Sequence, residues 1–346
     1  MTGFDIKMNA LFSALGFSVA LAAQLIIFRL AEPRIGLSGI GFFALIQGLM
    51  LFARAFETGV GQNITRQTAL VSTGAERWPL IYAGLILILG PTLILSSISF
   101  WAISIYIDFS HPEIEADLSR SLLTISFCIA LTSASNAVFG AALDGVGMMI
   151  SRNVTMALAF LLATAVSVPL LSQYGAAGYG AIFLVAACAQ LVMSMALLLW
   201  SFSKGMRTTF SLVRRSILSM WVENLAMNGS GLTRLTFEPL SRVWLAEFAG
   251  LSAVGLFDIL LRLIVGGRAL IQSAINPLLY VGAREQDAFT PHQAAVFDRV
   301  SRLIRVVAAH FAMFTLFAAP TLSIFLLGEL NLEAVRISRF LAFRLV

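Results

Sequence analysis

The sequence predicts an all-α integral membrane protein with two parallel-repeat lobes of six helices, the second lobe truncated, so that about nine spans and a partial tenth are expected. Three observations lead there. Of 346 residues, 59% are hydrophobic and only 12% charged, with a mean hydropathy of +0.89; soluble domains carry roughly 25% charged residues. The apolar segments reach about 20 residues, the length that crosses a bilayer as a helix, whereas a barrel would show short alternating strands. A pattern near the start of the chain also recurs in its second half.

The first apolar stretch, Met8 to Leu30, is longer than the apolar core of a signal peptide and has no clear cleavage site, so it is a retained helix. Gly39–Val60, Trp78–Ile107, Ser121–Leu143, Asn153–Leu171 and Ala177–Phe202 follow as further spans, completing a first lobe over residues 1–203. The loop at 204–216 holds Lys204, Arg207, Arg214 and Arg215, and as the most basic connection it is the natural seam between lobes. The second lobe, 217–346, is expected to contain Ile217–Phe248, Ala253–Val281 and Leu303–Leu327; Ala334 to Val346 is too short to cross. Between Gly282 and Arg302 a short amphipathic helix is expected on the membrane surface, with Pro291 near its start.

Charge sets the orientation. With the N-terminus cytoplasmic, the cytoplasmic segments collect Lys7, Arg66, Arg77, Arg152, the seam loop, Arg284, Arg299, Arg302 and Arg305. The opposite side holds Arg29, Arg34 and Arg120, and its loop Asp108–Ser119 carries Asp108, Glu113, Glu115 and Asp117. This is the asymmetry of the positive-inside rule, and it accounts for the net charge of +5. No basic run is interleaved with exposed aromatics, which excludes nucleic acid as a partner. Cys128 and Cys188 both fall in apolar spans and read as small core residues. His111, His292 and His310 are far apart, so no metal is expected, and no cofactor either.

The repeat aligns Gly36-Leu-Ser-Gly-Ile-Gly-Phe-Phe-Ala-Leu with Gly250-Leu-Ser-Ala-Val-Gly-Leu-Phe-Asp-Ile, 214 positions on. In the same register Leu49 meets Leu263, Arg54 meets Arg268 and Ala55 meets Ala269. Six spans separate the copies, so both insert with the same orientation, and substrates of parallel-repeat transporters bind between the lobes near the midplane. Arg54 and Arg268 would then face one cavity. The register also places the end of the second copy well beyond Val346, so the chain is expected to be a fragment or a truncated product.

The stretch Ser219 to Gly282 is apolar, yet contains Glu223, Arg234, Glu238, Arg242, Glu247, Asp258, Arg262 and Arg268. Charge in hydrocarbon costs roughly 2.5–3.5 kcal/mol per residue on insertion scales, so it is kept where it faces protein or water. Arg234, Glu238 and Arg242 are spaced to form one helical stripe, with Pro239 expected to kink the helix. The stripe is either the wall of a translocation cavity or an ion-pair ladder between helices. Glu57 lies three residues after Arg54, and Asp258 four before Arg262, so each arginine has a helical counter-ion.

These features resemble the polysaccharide-biosynthesis (O-antigen, oligosaccharide) flippases of the multidrug/oligosaccharidyl-lipid/polysaccharide exporter superfamily. The resemblance rests on Gly36 to Leu45, Glu57-Thr-Gly-Val-Gly and Arg66-Gln-Thr-Ala in the first lobe, and on Glu238 to Asp258 and Asn276-Pro-Leu in the second. It implies a bacterial inner-membrane protein that moves undecaprenyl-diphosphate-linked oligosaccharide between leaflets by alternating access. Glycan polymerase and export machinery are the implied partners, besides membrane lipid.

A diphosphate suits guanidinium, which binds it bidentately and keeps its charge. Arg54, Arg234, Arg242, Arg262 and Arg268 are the substrate-binding candidates, with Glu57 and Glu238 beside them. For Arg54 and Arg268 the competing reading is a structural pair snorkelling to the interface. Asp258 and Glu223 are candidates for coupling to a proton or sodium gradient, Asp258 being alternatively only the partner of Arg262. Trp221 and Trp244 read as interfacial belt residues. No catalytic residues are assigned: there is no phosphate-binding loop for ATP, and no polar loop long enough for a membrane-embedded polymerase, ligase or glycosyltransferase. A cation-coupled multidrug exporter of the same superfamily is the nearest alternative, and it would favour acidic residues over the arginines present here.

Overall fold

The computed structural model describes residues 3–54, 57–71, 74–202, 209–229 and 232–266, and scattered helical positions from Asp298 to Arg339. Every described element is helical. α1 runs Gly3–Met50, a 3-10 turn Leu51–Arg54 follows, then α2 Glu57–Leu70, α3 Gly74–Ser110, α4 Ala116–Gly145, α5 Met149–Ala165, α6 Ser167–Ser201, α7 Phe210–Gly229 and α8 Leu232–Ala249. A further helix, α9, covers residues 251–266. Four stretches are long and apolar enough to cross a membrane: Leu15–Arg54, Glu76–Ser110, Ala116–Gly145 and Ser167–Ser201.

The surface is inverted relative to a soluble protein. Ile94, Ile98, Trp101, Ile105 and Phe109 recur every three or four residues on one side of α3, and all are exposed. Such a stripe faces lipid, and Trp200, Trp221, Trp244 and Phe248 add exposed aromatics. Inside, Phe28, Phe43, Met50, Leu122, Tyr179, Ile182, Phe257 and Leu260 belong to one core that joins α1, α4, α6 and α9.

α1 is two helices joined at Gly36, which has φ 68 and ψ 168. An L-residue with a side chain rarely adopts this conformation, so glycine makes the reversal possible. Gly250 has φ 81 and joins α8 to α9 in the same way. The two glycines stand at equivalent places in the sequence repeat. The helices that follow touch reciprocally. A Cβ on Gly41 would overlap the Leu251 carbonyl and lie 2.9 Å from the Gly255 nitrogen. A Cβ on Gly255 would overlap the Leu37 carbonyl and lie 3.2 Å from the Gly41 nitrogen. Residues 37 and 41 correspond to 251 and 255 in the 214-residue register. Such exchange of i with j across one contact is the mark of a two-fold relation, here within a single chain.

The chain reversals sort to two ends. Gly36 and Gly175 lie together, since a Cβ on Gly39 would touch Ala176 at 3.7 Å. Tyr106 donates to Glu247 at 2.6 Å, which brings the acidic 108–119 loop to this same end, near Gly250. At the other end the Trp78 indole donates to the Phe202 carbonyl at 3.2 Å, the Arg77 guanidinium lies 5.1 Å from the Phe202 ring, and Arg152 bonds Asp144. The acidic and the basic connections therefore occupy opposite ends.

Two boundaries differ from the sequence reading. The second span stops at Met50, and the segment up to Val60 belongs partly to α2, whose Gln62, Asn63, Thr65, Arg66 and Gln67 disguise it as a loop. The run Ile217–Phe248 is helical as α7 up to Gly229 and as α8 from Leu232, with 230–231 outside the described residues. α7 also begins at Phe210, within the stretch assigned to the seam loop. Residues 204–208 of that loop and the segment 282–297 expected as part of a surface helix lie outside the described residues, as does Asn276-Pro-Leu.

Candidate functional site

Arg242 on α8 and Asp258 on α9 lie eight residues before and eight after the turn at Gly250. At 1.5 Å per residue this puts both about 12 Å below the turn, close to the middle of a hydrocarbon core of about 30 Å. Arg242 Nη2 donates to Asp258 Oδ1 at 2.7 Å. Arg262 Nε, one helical turn beyond Asp258, donates to Oδ2 at 2.6 Å. Arg242 is only 6% exposed and Asp258 3%. One carboxylate thus holds two guanidinium groups, and the cluster carries a net positive charge at mid-membrane depth.

The cluster is satisfied on one side only. No described protein atom accepts from Arg242 Nε or Nη1, although both are buried. These nitrogens face Gly48: a Cβ there would lie 3.0 Å from Nη1 and 3.1 Å from Nε, and would overlap Cδ. The absence of a side chain at Gly48 is what admits the guanidinium. Gln47, its neighbour on α1, has a buried Nε2 that also lacks a described acceptor.

An aromatic wall lies against the other arginine. The Arg262 guanidinium sits 4.6 Å from the Phe183 ring centroid. Phe43, Tyr179 and Phe183 pack on one another at centroid distances of 5.2 to 5.6 Å. A cation over an aromatic face gains about 0.5–2 kcal/mol, more when desolvated.

The arrangement is confined to the second repeat. The positions of the first repeat that match Arg242, Asp258 and Arg262 are Phe28, Ala44 and Gly48. Phe28 and Ala44 are fully buried in apolar contacts. The backbone is therefore duplicated while the chemistry is not.

Other expected residues fall elsewhere. Arg54 binds Glu57 bidentately, Nε to Oε1 and Nη2 to Oε2, both at 2.7 Å, and its side chain is 36% exposed. This pair stands beyond Met50 toward the basic end, away from the Gly36 and Gly250 turns. Glu238 is half-buried on α8; Pro239 lies inside α8, which continues past it to Ala249. Arg242, expected in a stripe with Arg234 and Glu238, bonds Asp258 on the next helix. α8 carries Arg234 and α7 carries Glu223, but their side chains lie outside the described part, and Arg268 lies outside the described residues altogether. The expectation that Arg54 and Arg268 share a cavity therefore rests on a residue outside the described part.

Sequence reasoning missed Gly41, Gly48, Gly255, Tyr179 and Phe183. It also missed a buried amide chain, in which Gln67 donates to Asn63 at 2.7 Å and Asn63 donates to Asn224 on α7 at 3.3 Å. The available signal was the repeat register, which pairs Gly41 with Gly255 and sets Gly48 opposite Arg262.

No known family profile matches the sequence, and no curated protein sequence matches it. Solved structures do match. The eukaryotic MATE transporter AtDTX14 superposes with a TM-score of 0.60 at 14% identity, over 98% of this chain and 78% of that one. A multidrug resistance MATE family transporter of the MOP superfamily, in an outward-facing conformation, gives 0.58 at 18% identity over 99% and 78%. A MOP superfamily transporter from Pyrococcus furiosus, described as having a binding pocket of reverse polarity that suggests a different function, gives 0.60 at 16% identity over 99% and 78%. At these identities the likeness is one of architecture: the chain is a multi-pass α-helical membrane protein with the fold of MOP superfamily transporters.

Proposed function

We propose that the protein is an alternating-access transporter of an amphiphile with an anionic headgroup, and that the passenger is a lipid-diphosphate-linked oligosaccharide flipped across a bacterial inner membrane. The observation that carries this reading is Arg242: a buried guanidinium near mid-membrane with two nitrogens unmet by any described residue and a bare glycine in front of them. A buried donor without an acceptor costs about 1–3 kcal/mol, more when charged. A diphosphate oxygen supplies the missing acceptor, and the net charge of the cluster favours an anion.

Asp258 serves in this reading as the clamp that orients both arginines. Both of its oxygens are already engaged by guanidinium groups, which argues against its use as the coupling site. Transport of this kind requires no bond to be made or broken, consistent with fold neighbours that are transporters. This reading puts the N-terminus on the cytoplasmic side, with the basic connections.

A second reading, a cation-coupled multidrug exporter, draws support from the fold shared with MATE transporters. The two are separated by binding to the full chain in nanodiscs, with a polyprenyl diphosphate and tetraphenylphosphonium as probes. The anionic reading expects the diphosphate to bind and Arg242→Gln to weaken it by about tenfold or more, the effect of one charge-assisted hydrogen bond. Binding of tetraphenylphosphonium with none of the diphosphate would replace that reading with the exporter.

A further inference from the structure

We propose that Gly41 and Gly255, with the Tyr106–Glu247 hydrogen bond above them, form the gate that shuts the transport path toward the acidic end of the molecule. This inference concerns conformation and does not depend on what is carried.

The position of the contact is the first argument. Gly41 and Gly255 each lie five residues beyond a turn glycine, about 7.5 Å into the membrane. Asp258 and Arg262 lie deeper, at about 12 and 18 Å by the same rise. The glycine crossing therefore stands between the acidic end and the ion cluster. Here α1 and α9 meet backbone to backbone, with carbonyls lying where side chains would be. Ala44, Leu45, Ala246 and Val254 are buried together around it. A polar headgroup leaving the cluster between α1 and α9 must part the two helices.

The rim is the second, independent argument. Tyr106 on α3 donates to Glu247 on α8 at 2.6 Å, so the bond ties a helix of the first repeat to one of the second. His111 packs edge-on against Tyr106 with centroids 5.9 Å apart, and its Nδ1 lies 3.4 Å from Glu113. The polar rim seals above an apolar crossing.

The chemistry of the contact suits reversal. Carbonyls against glycine Cα atoms provide weak C–H···O contacts, which release easily. The strong ionic bonds, Arg242–Asp258 and Arg262–Asp258, both lie inside the α8–α9 pair, so parting the two repeats leaves them intact. A permanent hinge would be expected to carry interlocked side chains instead.

The test uses the full chain in nanodiscs with Cys128→Ser and Cys188→Ser. Spin labels at Ser38→Cys and Ser252→Cys, both exposed at the acidic end and equivalent in the repeat, report the distance across the crossing. Gly41→Ala, whose Cβ overlaps the Leu251 carbonyl, is expected to move the population to a longer distance. Tyr106→Phe, which deletes only the rim bond, is expected to raise the long-distance fraction less. A reporter Ala44→Cys, buried beneath the crossing, is expected to react several-fold faster with a charged thiol reagent when Tyr106→Phe is added. Should Gly41→Ala fail to fold, Glu247→Gln takes its place. Unchanged distances and unchanged Ala44→Cys reactivity in folded variants overturn the gate. No transported substrate enters these readouts, so the gate can fail or survive separately from the diphosphate reading.

Discussion

Arg242 and Asp258 face each other across a helical hairpin, 2.7 Å apart and equidistant in sequence from the left-handed glycine at its tip. The hairpin geometry fixes the pair: two helices leaving one turn place residues at equal distance from it at equal depth. The same carboxylate holds Arg262, so three charges share one apolar layer and only one of them is negative.

Removing that negative charge should be costly. Asp258→Ala leaves two guanidinium groups without a counter-ion in a buried place, and breaking a buried ion pair in this way destabilises by about 3–5 kcal/mol. Adding Arg242→Met should restore a large part of the loss, because the uncompensated charge goes with it. Thermal unfolding in nanodiscs measures both. A double variant no more stable than Asp258→Ala alone would show that the pair is not the source of the loss.

Gly48 should matter for binding more than for folding. Gly48→Ala puts a methyl group against Arg242 Cδ and in front of its unmet nitrogens. The arginine side chain must shift, and overpacking of this kind costs about 1–3 kcal/mol. Polyprenyl diphosphate binding should fall by about tenfold or more while the protein remains folded. Retained affinity would place the headgroup elsewhere.

Much of this was legible in the sequence, and the omissions share a cause. Gly36 and Gly250 announced their turns because a repeated glycine pattern flanked by apolar runs marks a helix end. The Arg54–Glu57 and Asp258–Arg262 pairs were legible because spacings of three and four residues place side chains on one helical face. Arg242 was assigned to a stripe with Arg234 and Glu238 by the same rule. Its actual partner lies sixteen residues away, beyond a turn, where helical spacing says nothing. α2 escaped because its apolar face is narrow and its amides face protein rather than water. Gly48 carried no signal by itself; its role exists only because Arg242 arrives from another helix.

The Arg54–Glu57 pair should behave differently from the central cluster. It is bidentate but partly exposed, and a screened pair of this kind contributes roughly 0–1 kcal/mol. Glu57→Gln should therefore change thermal stability little and leave polyprenyl diphosphate binding as it was. A loss of affinity comparable to that of Arg242→Gln would move the substrate path to the basic end and restore Arg54 as a contact residue.

Asn63 offers a test of how α2 is held against α7. Its side chain is fully buried and occupies both of its polar atoms, accepting from Gln67 and donating to Asn224. Asn63→Ala strands the Gln67 donor and the Asn224 acceptor together, whereas Asn224→Ala leaves the Gln67–Asn63 bond in place. Stranded groups cost about 1–3 kcal/mol each, while inter-helix bonds in membranes average nearer 0.6 kcal/mol. Asn63→Ala should accordingly be the more destabilising single change. The double variant should resemble Asn63→Ala alone, since residues in one network are not additive. A double-mutant cycle read by thermal unfolding gives the coupling directly. Strict additivity would mean that the two helices are held by packing, with the amide chain contributing nothing to their union.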